Sequence, residues 1–152
     1  TEFSNQCMAF DHLSDGMQEF LSKQKIINTS GKGKVVASRS DVMKHSSARK
    51  EVDEFRAVHP VVRTHPETKE KALFINEAHS LQFSTLTLEE STPLLEFLFR
   101  NKIKSEFTCR LKWEKGSVAI WDNRCTIHNP INDYNGKRRL MHRITFTGDT
   151  PV

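Results

Sequence analysis

Arg139 and Arg143 stand four residues apart in the stretch Arg138–Thr147, and His128 precedes them by eleven and fifteen residues. If that stretch is a strand, its side chains alternate between faces. Arg139, Met141, Arg143 and Thr145 then share one face, and Leu140, His142, Ile144 and Phe146 the other. The two guanidinium groups would lie about 13 Å apart along the strand. With Ile144 and Phe146 packed against a helix or second sheet, the arginines look into the mouth of a barrel. There they require anions, because a buried unpaired charge is very costly. The planar guanidinium fork suits a carboxylate or a sulfonate. The other arrangement leaves both arginines on the solvent side of a sheet. His128 comes after the strand end Trp121-Asp122-Asn123 and is a candidate metal ligand, although a lone histidine is more often structural.

The elements that must hold these residues are read from periodicity and turn chemistry. Ser4 to Leu21 reads as helical, with Met8, Leu13, Met17, Phe20 and Leu21 at roughly helical spacing and Ser14 placed to cap a second short helix. Asn28–Gly33 is turn-rich. The segment AVHPVVRTH is extended, with Pro60 marking an edge or irregular strand. His65-Pro66-Glu67-Thr68 forms a turn and Ala72–Asn76 the returning strand. Thr87 to Lys102 is the strongest helix, with the apolar stripe Leu94, Leu95, Leu98 and Phe99. Thr87-Leu88-Glu89-Glu90 has the form of a capping box, which places Pro93 inside the helix; a start near Ser91 is the alternative. Further strands are expected at Glu106–Trp113, Ser117–Asp122, into His128, and at Arg138–Thr147. Trp113 and Trp121 fit buried sheet positions. The pattern is mainly β with flanking helices.

Composition sets bounds. The chain has 152 residues, 36% hydrophobic and 28% charged, with a formal charge of +4. No apolar run approaches a membrane span, and the opening residues TEFSNQCMAF carry neither a signal-peptide pattern nor an initiator Met, which fits processing or a missing N-terminal part. Cys7, Cys109 and Cys125 are too few and too scattered for a disulfide scaffold or a zinc site, so reduced thiols and a cytoplasmic location are expected. Between Lys23 and Lys50 eight basic residues face one acid, Asp41. That stretch has no aromatic residue to stack on a base, so a solvated loop is expected rather than a nucleic-acid site.

The run WDNRCTIHNPINDYNGKRRLMHRITFTGD closely resembles the closing motif of the taurine dioxygenase and 2,4-dichlorophenoxyacetate dioxygenase family: a WDNR-type strand, a metal-binding His and an RR-x-x-x-R strand. HPVVRTHPETKEKALFIN resembles the same family's hairpin, and Thr1-Glu2-Phe3 resembles the residues just after its Gly-Gly-Asp turn. The resemblance covers most of the chain and is weakest over 25–50. It implies a double-stranded β-helix (jelly roll), with residues 1–152 the C-terminal part of a single dioxygenase domain and 25–50 a variable basic loop within it. It implies Fe(II) as cofactor, 2-oxoglutarate and O2 as co-substrates, and hydroxylation of a small anionic substrate, a sulfonate or carboxylate. On the matching positions, His128 falls on an iron-binding His, and Arg139 and Thr1 on the groups that hold the 2-oxoglutarate carboxylate. Arg143 falls on the arginine that holds the substrate's anionic head. His79 stands near a position where taurine dioxygenase has an aromatic pocket residue, which implies a more polar pocket.

One departure from the family pattern matters. An iron site of this kind takes two His and one carboxylate, and the family's upstream H-x-D motif has no counterpart here. His65-Pro66-Glu67 is the only H-x-[DE] in the chain, and it falls on the hairpin turn, away from the metal. The chain alone is therefore expected to hold iron weakly and to be inactive without that segment. The alternative reading is a non-catalytic jelly-roll module that binds a small anion or a protein partner; self-association into a homo-oligomer stays open.

Overall fold

The computed structural model describes residues 1–30 and 55–152. Its strands are β1 (Glu2–Asn5), β2 (Lys25–Thr29), β3 (Arg56–Pro60), β4 (Val62–Thr64), β5 (Lys71–Leu73), β6 (Ser80–Phe83), β7 (Thr108–Arg110) and β8 (Thr126–Asn129). Its helices are α1 (Gln6–Asp11), α2 (Asp15–Ser22) and α3 (Leu88–Asn101), with a 3-10 turn at Ser105–Phe107. The strands form three antiparallel groups: β7-β1-β8, β3-β2-β6 and the β4-β5 hairpin.

The first twenty residues do not form one helix. Glu2–Asn5 is instead the central strand of its sheet. Asn5 ends it because its side-chain oxygen accepts from the backbone N–H groups of Cys7 (2.9 Å) and Met8 (3.2 Å), which caps α1. A second break falls at Ser14, the N-cap position of α2, although its side chain makes no capping bond. Leu13 and Leu21 from this region are buried with Ala9 and Phe10.

α3 has the expected limits. The Thr87 hydroxyl accepts from the N–H of Glu90, and the Glu90 carboxylate accepts from the N–H of Thr87 at 2.8 Å, so the capping box closes. This cap draws the start to Leu88 and leaves Pro93 inside the helix, where it forfeits one backbone hydrogen bond. The later start near Ser91 is not used. Leu95 and Leu98 are buried, and Leu94 and Phe99 pack against the same core, which also holds Ile26, Val61, Leu73, Ile75, Phe83 and Phe107.

Pro60 ends β3, an edge strand, where its missing N–H costs no ladder bond. The expected loop boundary at residue 25 is corrected: Lys25–Thr29 is the central strand of the second sheet, because Ile26 packs into the core with full burial. Residues 31–50 of that loop lie outside the described residues.

The C-terminal third departs most from expectation. Only Thr108–Arg110 of Glu106–Trp113 forms a strand, and neither Ser117–Asp122 nor Arg138–Thr147 does. A strand exists only where a neighbour takes up its N–H and C=O groups, and among the described residues none pairs with these two segments. Leu140, Ile144 and Phe146 are accordingly exposed, as are Val118 and Ile120. The last segment is fastened at its ends instead. Arg139 donates to the Thr1 hydroxyl at 3.3 Å. Buried Arg63 binds the Asp149 carboxylate at 2.7 Å, and the Thr64 N–H donates to the Val152 carbonyl at 3.2 Å. No helix among the described residues is long and apolar enough to cross a membrane.

Replacing Thr87 with Ala removes one half of the closed capping box. We expect a loss of about 1 kcal/mol in urea unfolding, with α3 amides 88–91 losing hydrogen-exchange protection first. Unchanged stability and protection would show that packing alone sets the start of α3.

Candidate functional site

β1 lies between β7 and β8, with Phe3 opposite both Cys109 and His128. The Phe3 ring lies 6.3 Å from the His128 imidazole, the Trp121 ring lies 5.0 Å from it, and Phe3 and Trp121 are 5.1 Å apart. Two aromatic rings thus cover part of the imidazole and leave its outer edge exposed. Partial burial lowers the His128 pKa, and the nearby Arg143 charge lowers it further. Both effects favour the neutral ring, the form that binds a metal.

Thr1 stands two residues before Phe3, and its carbonyl continues the ladder by accepting from the Leu111 N–H at 2.8 Å. It therefore shares the Phe3 face, about 7 Å further along. The Thr1 hydroxyl oxygen accepts from Trp113 Nε1 at 2.7 Å and from Arg139 at 3.3 Å. With both lone pairs engaged, its proton points elsewhere and is available to an external acceptor. The Arg139 guanidinium also lies 5.7 Å from the Tyr134 ring centroid, a cation–π contact that steadies it.

A cleft of about 380 Å³ opens beside this face. Its wall includes His128 and His79 together with His59, Phe74, Asn28 and Asn76. Of the sequence-derived site residues, the structure therefore brings His128 and His79 to one cleft. It joins Thr1 to Arg139 and sets Arg143 within electrostatic reach of His128. It does not place the two arginines on one strand face, because the strand expected to carry them is unpaired.

Several contributors have little signal in the sequence. Trp113 and Trp121, expected at buried sheet positions, are both half-exposed, one orienting Thr1 and the other stacking on His128. An indole N–H that needs a partner is the available clue. Tyr134, His59, Asn28 and Asn76 carry no local signal.

Among the described residues, the one group of three possible metal donors is His65, Asp122 and Cys125, whose ligand atoms lie within 4.8 Å of one another. The hydrogen bonds exclude it as a metal site. His65 Nδ1 accepts from the N–H groups of Glu67 (3.3 Å) and Thr68 (3.1 Å), so Nε2 carries the proton and donates to Asp122 at 3.2 Å. No lone pair remains for a metal. Asp122 also accepts from Arg124 Nε at 2.9 Å and from its terminal nitrogen at 2.6 Å, and Arg124 reaches Glu67 at 3.2 Å. These four residues clamp the hairpin turn to the segment leading into β8. Beside them, burial and then the neighbouring Cys125 push the Cys7 thiol up to about 11, which keeps it protonated and unreactive.

The described residues thus set an imidazole on an aromatic wall, beside a guanidinium–hydroxyl pair and a second arginine, on a mainly β scaffold with a few helices. The chain belongs to the family described as "Taurine catabolism dioxygenase TauD, TfdA family", whose model it matches over residues 1–145. It is 36% identical, over its whole length, to an alpha-ketoglutarate-dependent dioxygenase (cnsM) of Penicillium expansum, covering 42% of that protein. It is likewise 36% identical over its whole length to an alpha-ketoglutarate-dependent sulfonate dioxygenase of Saccharomyces cerevisiae, covering 36% of it. A solved taurine dioxygenase structure from Burkholderia xenovorans superposes with a TM-score of 0.65 at 31% identity, covering 82% of this chain and 38% of that one. The chain thus spans roughly two fifths of the length of such relatives.

The clamp yields a pH prediction. Hydrogen bonds from Arg124, and then from His65, hold the Asp122 carboxyl well below the usual carboxylate range. A folded pKa below the unfolded one contributes stability that is complete above about pH 4 and is lost as pH falls toward the folded value. Asp122→Ala should cost about 2 kcal/mol at neutral pH, since it leaves the N–H of buried His65 without an acceptor and removes one of the two carboxylates that hold Arg124. It should also flatten the acid limb of the stability curve below pH 4. An acid limb as steep as that of the unmodified chain would assign that limb to other carboxylates.

Proposed function

We propose that this chain is the part of an Fe(II)- and 2-oxoglutarate-dependent dioxygenase that holds the anions, within a double-stranded β-helix, and that the substrate is a small sulfonate or carboxylate. The observation that carries the reading is the Thr1–Arg139 pair. A guanidinium and a free hydroxyl proton, fixed by Trp113 and Tyr134, offer three directed donors to one carboxylate. The names of the relatives point the same way, since they specify alpha-ketoglutarate dependence and, in yeast, a sulfonate. A bacterial relative from Pseudomonas putida, 38% identical over 98 residues, is a sulfate ester dioxygenase.

In this reading Arg139 and Thr1 bind the distal carboxylate of 2-oxoglutarate. Arg143 faces the anionic head of the substrate, and its charge adds to partial burial in favouring the neutral His128 ring. His128 is one ligand to iron. The described residues do not make an iron site by themselves, because no second imidazole and no carboxylate joins His128 in a cluster of donors. The remaining ligands belong to parts of the protein outside these residues. When bound, iron supplies the oxidising chemistry that O2 and 2-oxoglutarate drive. The contribution of this chain is to orient two anions and to shield the reacting region with Phe3 and Trp121.

Arg139→Ala should weaken 2-oxoglutarate binding about a hundredfold, or about 2.7 kcal/mol, measured by calorimetry on the full protein without oxygen. Arg143→Ala should raise the substrate KM with little change in 2-oxoglutarate affinity. Equal effects of the two variants on both ligands would break the division of labour. His128→Ala should abolish iron-dependent turnover of 2-oxoglutarate, and retained turnover would remove His128 from the ligand set.

A further inference from the structure

The cleft beside His128 has a hydrogen-bond polarity that its backbone contacts fix. His79 Nδ1 lies 3.2 Å from the Thr29 carbonyl oxygen. A carbonyl can only accept, so Nδ1 carries the proton and Nε2 keeps its lone pair. Asn28 is set in the opposite sense: its side-chain oxygen accepts from the Ser80 hydroxyl at 2.8 Å, leaving its NH2 as the group to be satisfied. Asn76 repeats the pattern, with its side-chain oxygen accepting from the Ala78 N–H at 2.8 Å. The turn Asn76–Ser80 holds all three side chains in place. The Ser80 and His79 N–H groups donate to the Asn76 carbonyl at 2.7 and 3.0 Å, and the Thr29 N–H donates to the His79 carbonyl at 2.9 Å, which ties the turn to β2.

The wall therefore presents an acceptor at His79 Nε2 and donors at the amides of Asn28 and Asn76, and Gln6, whose side-chain oxygen is unpartnered, Asn123 and Thr126 add further uncharged polar groups. Its apolar surface comes from Leu73, Phe74, Ile75 and Ile127, with His59 edge-on to Phe74 at 5.9 Å and His128 at its rim. The charged side chain on this wall, Arg124, is already neutralised by Asp122 and Glu67. Among the described residues no acid lines the cleft to receive an ammonium group. A wholly alkyl group would leave the imidazole and both amides without partners, which costs binding energy.

We infer that His79, with Asn28 and Asn76, selects a substrate whose tail carries an uncharged group that both donates and accepts hydrogen bonds, such as an amide or a hydroxyl. This rests on the anion reading above, which places the charged head of the substrate at Arg143. His79 is then a specificity-determining residue: its N–H belongs to the protein and its lone pair to the ligand. A substrate N–H or O–H meets Nε2, and a substrate oxygen meets the amide of Asn28 or Asn76.

The test uses three sulfonates that share a head and differ in the tail: N-acetyltaurine, n-pentanesulfonate and homotaurine. Each is titrated into the full protein by calorimetry, without oxygen. N-acetyltaurine should bind about tenfold more tightly than the other two. His79→Phe should reduce that preference to near unity, and His79→Gln, which retains an acceptor, should restore part of it. Nitrogen-15 spectra of the histidine rings should show His79 as the Nδ1–H tautomer, with its Nε2 resonance moving when N-acetyltaurine is added. Equal affinity for all three sulfonates, or an Nε2–H tautomer, overturns the inference and leaves the anion assignment intact. Failure of every sulfonate, and of the matching carboxylates N-acetyl-β-alanine, hexanoate and 4-aminobutanoate, to bind overturns the anion assignment and this inference with it.

Discussion

The antiparallel register that sets Phe3 opposite His128 is the constraint on which the rest of the site depends. A strand's period of two ties every side chain on a face to its neighbours, and a slip by one residue would turn them all to the other side. Because Phe3 faces His128, Thr1 must lie on the same face, and so must whatever binds Thr1. The register thus carries Arg139 to the imidazole side of the sheet without any strand pairing of its own. Its maintenance falls to Asn5 at one end, whose cap stops β1 before it can extend, and to the Leu111–Thr1 and Gln6–Cys125 backbone bonds around it.

A second constraint holds the partner strand in place. β8 is short, and the residues before it belong to no ladder, so its position comes from Asp122, which accepts from His65 and Arg124 while its carbonyl accepts from the Thr126 N–H at 2.9 Å. A carboxylate with this many donors is fixed in direction as well as in charge state. His65 spends both nitrogens on this task, which explains why a histidine next to a proline and a glutamate is a hinge pin here and not a ligand. The turn and the cleft are thereby coupled, since Arg124 belongs to the clamp and to the cleft wall alike.

Legibility in the sequence tracks the range of the interactions involved. The start of α3 can be read because its cap spans three residues, Thr87 to Glu90. The edge position of β3 can be read from Pro60 alone. The family can be read because the closing motif that carries His128, Arg139 and Arg143 is long and contiguous. The break at Asn5 is hidden because apolar spacing continues across it and only the cap, a single amide side chain, stops the helix. The His65–Asp122 bond joins residues 57 apart, and no local pattern announces such a contact. The expectation for Arg138–Thr147 fails for a related reason. Alternation shows that a segment can be a strand, whereas pairing depends on a neighbour.

That unpaired segment bears on how the two arginines differ. Arg139 is held by Thr1 and Tyr134 at the near end, and the far end is tied down through Asp149 and Arg63. Arg143 lies between these anchors, exposed and without a ladder, yet close enough to His128 to bias its protonation. A guanidinium fixed by neighbours suits a ligand that is always the same, as 2-oxoglutarate would be. One carried on a tethered but unladdered stretch can adjust to heads of different size, from carboxylate to sulfonate to sulfate ester. The contacts at 139 and the lack of a ladder at 143 fit the proposed division between a constant co-substrate and a variable substrate. The names of the Penicillium, yeast and Pseudomonas relatives divide along the same line: alpha-ketoglutarate is common to all three, while sulfonate and sulfate ester vary.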